Sequence, residues 1–295
     1  MKALVFGSLN IDHVYQTSHI VRGGETLASE AYERHEGGKG LNQAIALAKA
    51  GQETWFAGNI GEDGMFLKEY LASHGVNVSM IRTADQATGH AIIQVDSQGQ
   101  NAILLYGGAN QCVTAAQRTE TLTCFHPGDW LLMQNEINGG AALLREAKAR
   151  GMTVAVNPSP ISEELLSWPL EMVDWLILNE IEGASLSGET EPGAMLEALA
   201  GIYPASGIVL TLGEKGCLYA KGNERLSQGI FPTENVDTTA AGDTFTGYFL
   251  AGMMSGAEPA KALRKAACAS AIAVSRPGAG PAIPTGDEVD RKMME

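Results

Sequence analysis

Short apolar runs alternate with helical patterns along most of the chain, and this alternation constrains the fold more than any other feature. The runs span four or five residues, too few for helices, and Gly, Pro, Asn or Asp residues bound them, which is typical of buried strands. Strands are predicted at residues 3–6, 55–58, 130–133, 153–156, 175–178 and 208–212. Helices are predicted at residues 40–50, 66–73, 141–149, 180–186, 195–199, 242–254 and 259–274. Such alternation predicts an α/β fold, in which helices sandwich a mainly parallel sheet.

Two segments interrupt this pattern. Residues 12–36 have no helical period, and residues 91–106 alternate around a Ser-Gln-Gly-Gln turn, which is typical of an antiparallel hairpin. Both segments are predicted to form a small antiparallel β-sheet that stands off the main body. We therefore expect a large α/β domain made of residues 1–11, 37–90 and 107–295, with residues 12–36 and 91–106 forming the small sheet.

The composition restricts the classes of partner. The chain has 295 residues and a formal net charge of -14, which argues against a nucleic-acid backbone or an anionic membrane as the main partner. No apolar run reaches the ~18 residues of a membrane-spanning helix, and the first residues are typical of a strand rather than a signal peptide. The four cysteines and six histidines lack metal-ligand spacing. We therefore expect a cytoplasmic protein with reduced cysteines and no transition-metal site.

The strongest chemical signal is the segment VDTTAAGDTFTGYF, residues 236–249. Small residues lead through Gly242 to Asp243 and directly into an apolar helix, so the backbone can approach a ligand closely. The first amides of a helix have no internal partners and favour an anion, while a carboxylate there can take a proton from a hydroxyl group. Phosphoryl transfer needs both parts. The alternative interpretation of the Gly-Asp pair is an ordinary helix start with a capping acid.

Two other segments carry weaker signals. Gly37, Gly38 and Gly40 surround Lys39 just before a helix, where amides and a lysine can hold hydroxyl or phosphate groups, although the spacing is not that of a Walker A loop. Asn179 and Glu182 follow the strand at 175–178. They are candidates for binding Mg²⁺ through water, and the alternative is that Asn179 caps the next helix. A Thr-Leu-Gly sequence, residues 211–213, ends a later strand in the same way.

Taken in order, these motifs resemble those of the ribokinase family, also called the phosphofructokinase-B-type carbohydrate kinases. The resemblance covers nearly the whole chain, and its two most specific signatures are DTTAAGDTF and the GGKG turn. The matching segments are GSLNIDH, GGKGLNQA, NIGEDG, GGAN, LLMQNE, NPSP, LNEIE, LTLGEKG, DTTAAGDTF and AIAVSRPGAGPAIP. When the motifs occur together in this way, the interpretations that treat each one alone lose most of their weight.

The resemblance implies a role for each matching residue. Asp243 would be the catalytic base, and the amides of Ala241, Gly242 and Asp243 would form an anion hole. Asp243 would also contact the sugar, together with six further residues: Asn10, Asp12, Gly38, Lys39, Asn42 and Glu136. Asn179 and Glu182 would lie near Mg²⁺ and phosphate, with Glu182 reaching the metal through water. Thr211 and Gly213 would bind the nucleotide.

The resemblance also implies a monovalent cation site, a lid and a dimer. Potassium would bind the Asp237 side chain and four backbone carbonyls, those of Thr239, Ala273, Arg276 and Gly278. The sequence departs from the family at Ala282, where a serine hydroxyl is usual, and the alternative role of Asp237 is to cap a turn. The small sheet would close over the sugar as a lid and pair with its copy in a homodimer.

The function that the resemblance implies is an ATP-dependent sugar kinase, with ribose as the leading substrate and ribose 5-phosphate as its product. Two alternatives stay open at this stage. The first is a kinase for another sugar, a sugar acid or a nucleoside, because one changed hydrogen bond in a pocket is worth ~1–3 kcal/mol and can switch the preferred sugar. The second is a non-catalytic sugar sensor on the same fold. Retention of Asp243 argues against the sensor.

Overall fold

A computed structural model describes residues 1–294 of the chain, and its elements follow the predicted alternation. The strands are β1 (Ala3–Phe6), β2 (Asn10–Gln16), β3 (Ala31–Gly37), β4 (Thr54–Ile60), β5 (Asn77–Thr83), β6 (Gly89–Val95), β7 (Asn101–Tyr106), β8 (Trp130–Gln134), β9 (Thr153–Asn157), β10 (Trp175–Asn179), β11 (Gly207–Thr211), β12 (Cys217–Lys221) and β13 (Glu224–Gln228). The helices are α1 (Lys39–Lys49), α2 (Met65–Ser73), α3 (Ala115–Leu122), α4 (Gly140–Ala149), α5 (Glu180–Ser187), α6 (Pro192–Ile202), α7 (Ala241–Met254), α8 (Pro259–Val274) and α9 (Gly286–Lys292).

The large sheet has nine strands in the order β13-β12-β11-β10-β9-β8-β1-β4-β5. Seven strands run parallel to one another, namely β11, β10, β9, β8, β1, β4 and β5. Strands β12 and β13 add an antiparallel pair at one end. Helices α1, α2, α7 and α8 pack on one face, and α3, α4 and α6 pack on the other. Both faces are therefore covered, which explains why central strands such as β8 are apolar at successive positions. The predicted α/β architecture is confirmed.

The carboxyl ends of the parallel strands meet at one edge of the large sheet, which is where such sheets bind ligands. At that edge Asn179 of β10 lies directly beside Thr211 of β11. Strands β1 and β8 belong to the same run of parallel strands as β10 and β11. The residues that follow them therefore reach the same edge. The fold therefore brings together segments that are far apart in the sequence.

The second sheet has four strands in the order β3-β2-β6-β7. The predicted hairpin is present as β6 and β7, and β2 pairs with β3 in the same antiparallel manner. The central pair, β2 with β6, is parallel. The sheet begins at Asn10, and only three residues separate it from the end of β1 in the large sheet, so its base lies beside the carboxyl edge.

Three features are absent from residues 1–294. No helix there is long and apolar enough to cross a membrane. No disulfide joins any of the four cysteines. No group of three or more histidine, cysteine, aspartate or glutamate side chains is arranged to hold a metal ion.

Candidate active site

A cavity of about 210 Å³ opens at the carboxyl edge of the large sheet. It brings together residues from five separate segments, and seven of the predicted site residues line it. These are Lys39, Asn179, Glu182, Thr211, Ala241, Gly242 and Asp243. Two predicted sugar-binding residues, Lys39 and Asp243, therefore meet the predicted Mg²⁺ and nucleotide residues here, and the other predicted sugar and potassium residues are not in the cavity lining.

The first turn of α7 forms one wall of this cavity. Ala240 precedes the helix in the left-handed region, with a φ of 59°, and it is the one non-glycine residue with a positive φ in residues 1–294. The Ala241 amide donates to the Thr238 carbonyl at 3.2 Å. The amides of Gly242 and Asp243 have no acceptor within the described chain. Two of the three predicted anion-hole amides are thus available to a ligand, and the third is engaged.

The Asp243 carboxylate is almost buried, with 9% of the residue exposed. Its two oxygens accept hydrogen bonds from consecutive residues of α1. Asn42 Nδ2 donates to Oδ2 at 3.1 Å, and Gln43 Nε2 donates to Oδ1 at 2.8 Å. Asn42 Oδ1 is buried and lacks a hydrogen-bond partner among residues 1–294. Since buried acceptors are normally paired, this oxygen has unused capacity to accept a hydrogen bond.

The GGKG turn packs against the end of β1. Gly38 has a φ of 101°, and a Cβ atom there would lie 3.0 Å from the Ser8 carbonyl oxygen, so the turn requires glycine at this position. Burial acts to lower the pKa of Lys39, but the nearby charges of Asp243, Glu136 and Glu182 raise it, and the net pKa lies above the ordinary value. Lys39 therefore stays a cation among three carboxyl groups.

Asn10, Asp12 and Glu136 lie where the two sheets meet. Asn10 Oδ1 accepts from Asn110 Nδ2 at 2.7 Å, and Glu136 accepts from the Ser8 hydroxyl and from the Lys39 amide. Burial raises the pKa of Asp12 to about 7, with a further upward contribution from the charge of Glu136 and a downward one from His35. Burial is also the largest cause that raises the pKa of Glu136.

Asn179 begins α5 as its N-cap residue. Its Oδ1 accepts from the amides of Ile181 and Glu182, and the Glu182 carboxylate accepts from the Asn179 amide at 2.8 Å. The capping role that the sequence left open is therefore present. The second Glu182 oxygen accepts no hydrogen bond from residues 1–294. Because Glu182 lines the cavity, that oxygen can still meet a hydrated ion.

The two predicted nucleotide-binding residues follow β11. Thr211 lines the cavity, and its hydroxyl donates to the Leu178 carbonyl at 3.2 Å. Gly213 begins a short 3₁₀ turn with a φ of 54°, and a Cβ atom there would meet no other atom within 4 Å. This position demands a left-handed backbone while leaving open space beside it.

Asp237 lies just before the anion-hole turn, which is the segment that leads through Ala240 to the amides of Gly242 and Asp243. Its Oδ1 accepts from the amide and hydroxyl of Thr239 at 2.9 and 2.6 Å, and its Oδ2 accepts from the Gly278 amide at 2.9 Å. Burial acts to raise the pKa of Asp237, but these three hydrogen bonds outweigh it and the pKa is lowered. Asp237 therefore caps this turn. Its bond to Gly278 joins two segments that are predicted to bind the cation, the one around Thr239 and the loop after α8. Ala273 is buried at the end of α8, while the Arg276 side chain turns away to Glu288.

Several polar residues at this edge were not identified from the sequence. Asn110 exchanges hydrogen bonds with the backbone of Leu9 and thereby fixes the connection from β1 to β2. Hydrogen bonds link buried Gln134 and Gln43 and partly buried Asn157 in a chain that ends on Asp243. Asn110 and Asn157 each lie in a matched motif, GGAN and NPSP, so a signal existed for them. Gln43 and Gln134 also fall within matched segments, but no pattern indicated what they contact.

Comparison with known proteins gives one consistent result. The family model described as pfkB family carbohydrate kinase matches residues 1–286. The chain is 36% identical to the ribokinase of Haemophilus influenzae over 297 residues, which cover 96% of this chain and 95% of that protein. Ribokinase from Cryptococcus neoformans var. grubii serotype A, solved in complex with ADP, matches with a TM-score of 0.88 and 34% identity, covering 99% of this chain and 98% of that one. Arabidopsis thaliana ribokinase, solved with ribose and ATP, matches with a TM-score of 0.88 and 31% identity, covering 100% and 99%. The chain belongs to the pfkB family of carbohydrate kinases, the ribokinase family.

Proposed function

We propose that this protein is an ATP-dependent sugar kinase that converts ribose to ribose 5-phosphate. The observation that carries the proposal is the first turn of α7, where the Asp243 carboxylate stands beside two amides that have no acceptor among residues 1–294. A base and an anion-binding site at one point are what phosphoryl transfer to a hydroxyl group needs. Ribose and ATP are the ligands of the similar Arabidopsis ribokinase.

In the proposed reaction, Asp243 accepts the proton of the ribose 5-hydroxyl group. At the same time the hydroxyl oxygen forms a bond to the γ-phosphorus of ATP. The bond between that phosphorus and the β,γ-bridging oxygen breaks, and ADP leaves. The amides of Gly242 and Asp243 point at the phosphoryl oxygens and stabilise their charge, and the Lys39 ammonium group adds a positive charge beside them. The Asp243 carboxylate and the two amides are held by the fold before the ligands arrive, which limits reorganisation during the transfer.

The proposed sugar contacts lie on the other side of Asp243. Asn42 Oδ1 is a buried acceptor that lacks a partner within the described chain, so a sugar hydroxyl can satisfy it. Asp12 and Glu136 supply carboxylates that can each accept from hydroxyl groups, and Asn10 and the Gly38 backbone complete the set. Gly37 stands opposite this group, where a Cβ atom would lie 2.1 Å from an Asp12 carboxylate oxygen. A side chain at position 37 would therefore displace Asp12.

We propose that Thr211 and Gly213 contact the nucleotide and that Asn179 and Glu182 lie near its phosphates and Mg²⁺. The residues fit this ion, because Glu182 keeps one carboxylate oxygen without a donor from residues 1–294 and lines the cavity. Mg²⁺ would neutralise charge on the phosphates and would be reached through water.

We also propose that potassium binds beside the anion hole, through Asp237 and the carbonyls of Thr239, Ala273, Arg276 and Gly278. Asp237 already ties the anion-hole turn to the loop after α8 through its bond to Gly278. A cation there would brace the turn that leads to Gly242. Ala282 supplies no side-chain oxygen, so we expect weaker potassium affinity than in a site that has a serine at this position.

The four-stranded sheet is proposed to be a lid over the sugar and the interface of a homodimer. In its edge strand β7, Ile103, Leu104, Leu105 and Tyr106 are all at least 46% exposed. Successive side chains of a strand point to opposite faces, so both faces of β7 are apolar and uncovered. Leu105 pairs with Ala91, which pairs with Asp12, so this face is the sugar side. Leu104 lies on the opposite face, which is where a second copy would pack.

A substrate panel tests the proposed function. Purified protein with MgATP and potassium is offered ribose, other pentoses, hexoses, sugar acids and nucleosides, and both ADP release and ligand-induced thermal shift are recorded. We expect the highest kcat/KM with ribose and a product that co-elutes with ribose 5-phosphate. A higher value for another sugar or a nucleoside would overturn the choice of ribose, and thermal shift without ADP release would indicate a sensor. A cytoplasmic location, the remaining part of the proposal, is tested by cell fractionation.

A further inference from the structure

Asp243 is held by two side-chain amides, and the role proposed above explains only one of them. Asn42 is proposed above to bind a sugar hydroxyl through its second atom, Oδ1. Gln43 is fully buried, with 0% of its surface exposed, and it cannot reach a ligand. Its Nε2 atom donates to Asp243 Oδ1 at 2.8 Å and to Asn157 Oδ1 at 2.9 Å. A buried glutamine aimed at the base of the reaction needs its own explanation.

The direction of the Gln43 amide follows from a chain of hydrogen bonds that ends on the backbone. Asn157 Nδ2 donates to the Ile177 carbonyl at 2.9 Å, and a backbone carbonyl can only accept. Asn157 must therefore turn its oxygen toward Gln43, which makes the facing Gln43 atom a donor. Gln134 Nε2 donates to Gln43 Oε1 at 2.6 Å from the other side. Because Asn157 is anchored on a backbone carbonyl, it fixes which end of the Gln43 amide faces Asp243.

This arrangement changes what Asp243 can do. An acidic residue in the first turn of a helix ordinarily turns its carboxylate back toward the free amides of that turn. Here the amide groups of Asn42 and Gln43 hold the two carboxylate oxygens instead. The Gly242 and Asp243 amides keep no partner within residues 1–294, and the carboxylate keeps a fixed plane.

We propose that Gln43 is a positioning residue for the base Asp243, with Asn157 and Gln134 as its supports. The inference rests on the proposed kinase function. Gln43 touches neither sugar nor nucleotide; it acts by holding the carboxylate where one lone pair of Oδ1 or Oδ2 can accept the hydroxyl proton. Its removal leaves substrate binding in place and lowers the rate of the chemical step.

Gln117 offers a matched control for a purely structural role. It too is a buried glutamine, with 1% exposure, and its Nε2 donates to two acceptors, the Gly58 carbonyl and Asn59 Oδ1. It bonds no site residue. Gln43→Met and Gln117→Met remove the same amide from equally buried positions. Both should lower the thermal midpoint of unfolding, and Gln43→Met by more, since it removes three hydrogen bonds rather than two.

The experiment measures kcat, the ribose Kd and the unfolding midpoint for both methionine variants and wild type. We expect Gln43→Met to lower kcat about 10- to 100-fold, since small misplacements of a reacting group cost up to that much. Its ribose Kd should stay near the wild-type value, and Gln117→Met should keep wild-type kcat. Equal kcat in both variants would overturn the inference. If wild type itself transfers no phosphoryl group, the proposed function fails instead, so the two failures are distinguishable.

Gln43→Glu provides a second test if the methionine variant does not fold. The introduced carboxyl group has the same shape, but when ionised it cannot donate to Asp243 and repels it. When protonated it can donate one hydrogen bond. The kcat of this variant should therefore rise as the pH falls, opposite to the wild-type trend expected for a base. A kcat profile parallel to that of wild type would contradict the positioning role.

Discussion

Ribose binding should depend on pH through Asp12, because this carboxyl group is proposed to bind sugar hydroxyls as an anion. Burial and the charge of Glu136 raise its pKa to about 7 in the free protein. By titration with that pKa, Asp12 is ionised in about 9% of molecules at pH 6 and about 91% at pH 8. If ribose binds the ionised form, the apparent Kd equals the intrinsic Kd divided by that fraction, so it should fall about tenfold from pH 6 to pH 8.

Isothermal titration calorimetry in buffers of different ionisation enthalpy measures the released protons directly. At pH 6 we expect about one proton released from Asp12 per ribose bound, and at pH 8 about a tenth of that. Asp12→Asn should bind ribose more weakly and lose this step in the pH dependence. Glu136→Gln should move the step to lower pH, because one of the two causes that raise the Asp12 pKa is removed. An unchanged pH dependence in Asp12→Asn would refute the reasoning.

The same shift has a consequence for the stability of the ligand-free protein. The folded pKa of about 7 lies above the ordinary value of 3.8, so the folded chain holds more protons on Asp12 between these two pH values. Its contribution to stability is fully present below pH 3.8 and is lost as the pH rises through about 7. Added ribose should reduce the loss, since it stabilises the ionised form.

Two further predictions concern the cation and the lid. Replacing potassium by tetramethylammonium at constant ionic strength should lower kcat, and Ala282→Ser should raise the potassium affinity; equal activity in both salts would refute the site. In β7, Leu104→Lys should convert a dimer to a monomer in sedimentation velocity, whereas Leu105→Lys should raise the ribose KM and leave the dimer intact. If Leu104→Lys raised the ribose KM and Leu105→Lys broke the dimer, the proposed roles of the two faces would be wrong.

The central strands could be predicted from the sequence because burial on both faces makes their middle positions apolar in succession. Strands β1, β8, β9, β10 and β11 all meet that condition. No prediction covered β5, β12 or β13, which lie at or beside the ends of the sheet. β5 buries one of its seven residues, β13 buries none of its five, and β12 is only five residues long. The short helix α3 was not predicted either, because only three of its eight residues are buried.

The candidate site also contains some residues that could be predicted from the sequence and others that could not. Segments whose chemistry is local, such as the small residues before Asp243, carry their signal in a few consecutive letters. Gln43 shows the limit, because its partners Asp243 and Asn157 are distant in the sequence and only the fold brings them together. The sequence likewise could not decide between capping and ligand binding for Asn179 and Asp237. Both caps are present, and a cap uses only part of the hydrogen-bonding capacity of each side chain.

The central claim is that Asp243 takes the proton from the ribose hydroxyl at the first turn of α7. The most direct measurement compares kcat and ribose Kd in wild type and Asp243→Asn. General-base catalysis contributes typically 10²–10⁴-fold, so kcat should fall at least that far, while ribose binding measured by calorimetry persists and the unfolding midpoint confirms a folded variant. A folded Asp243→Asn protein that phosphorylates ribose at near the wild-type rate would contradict the account.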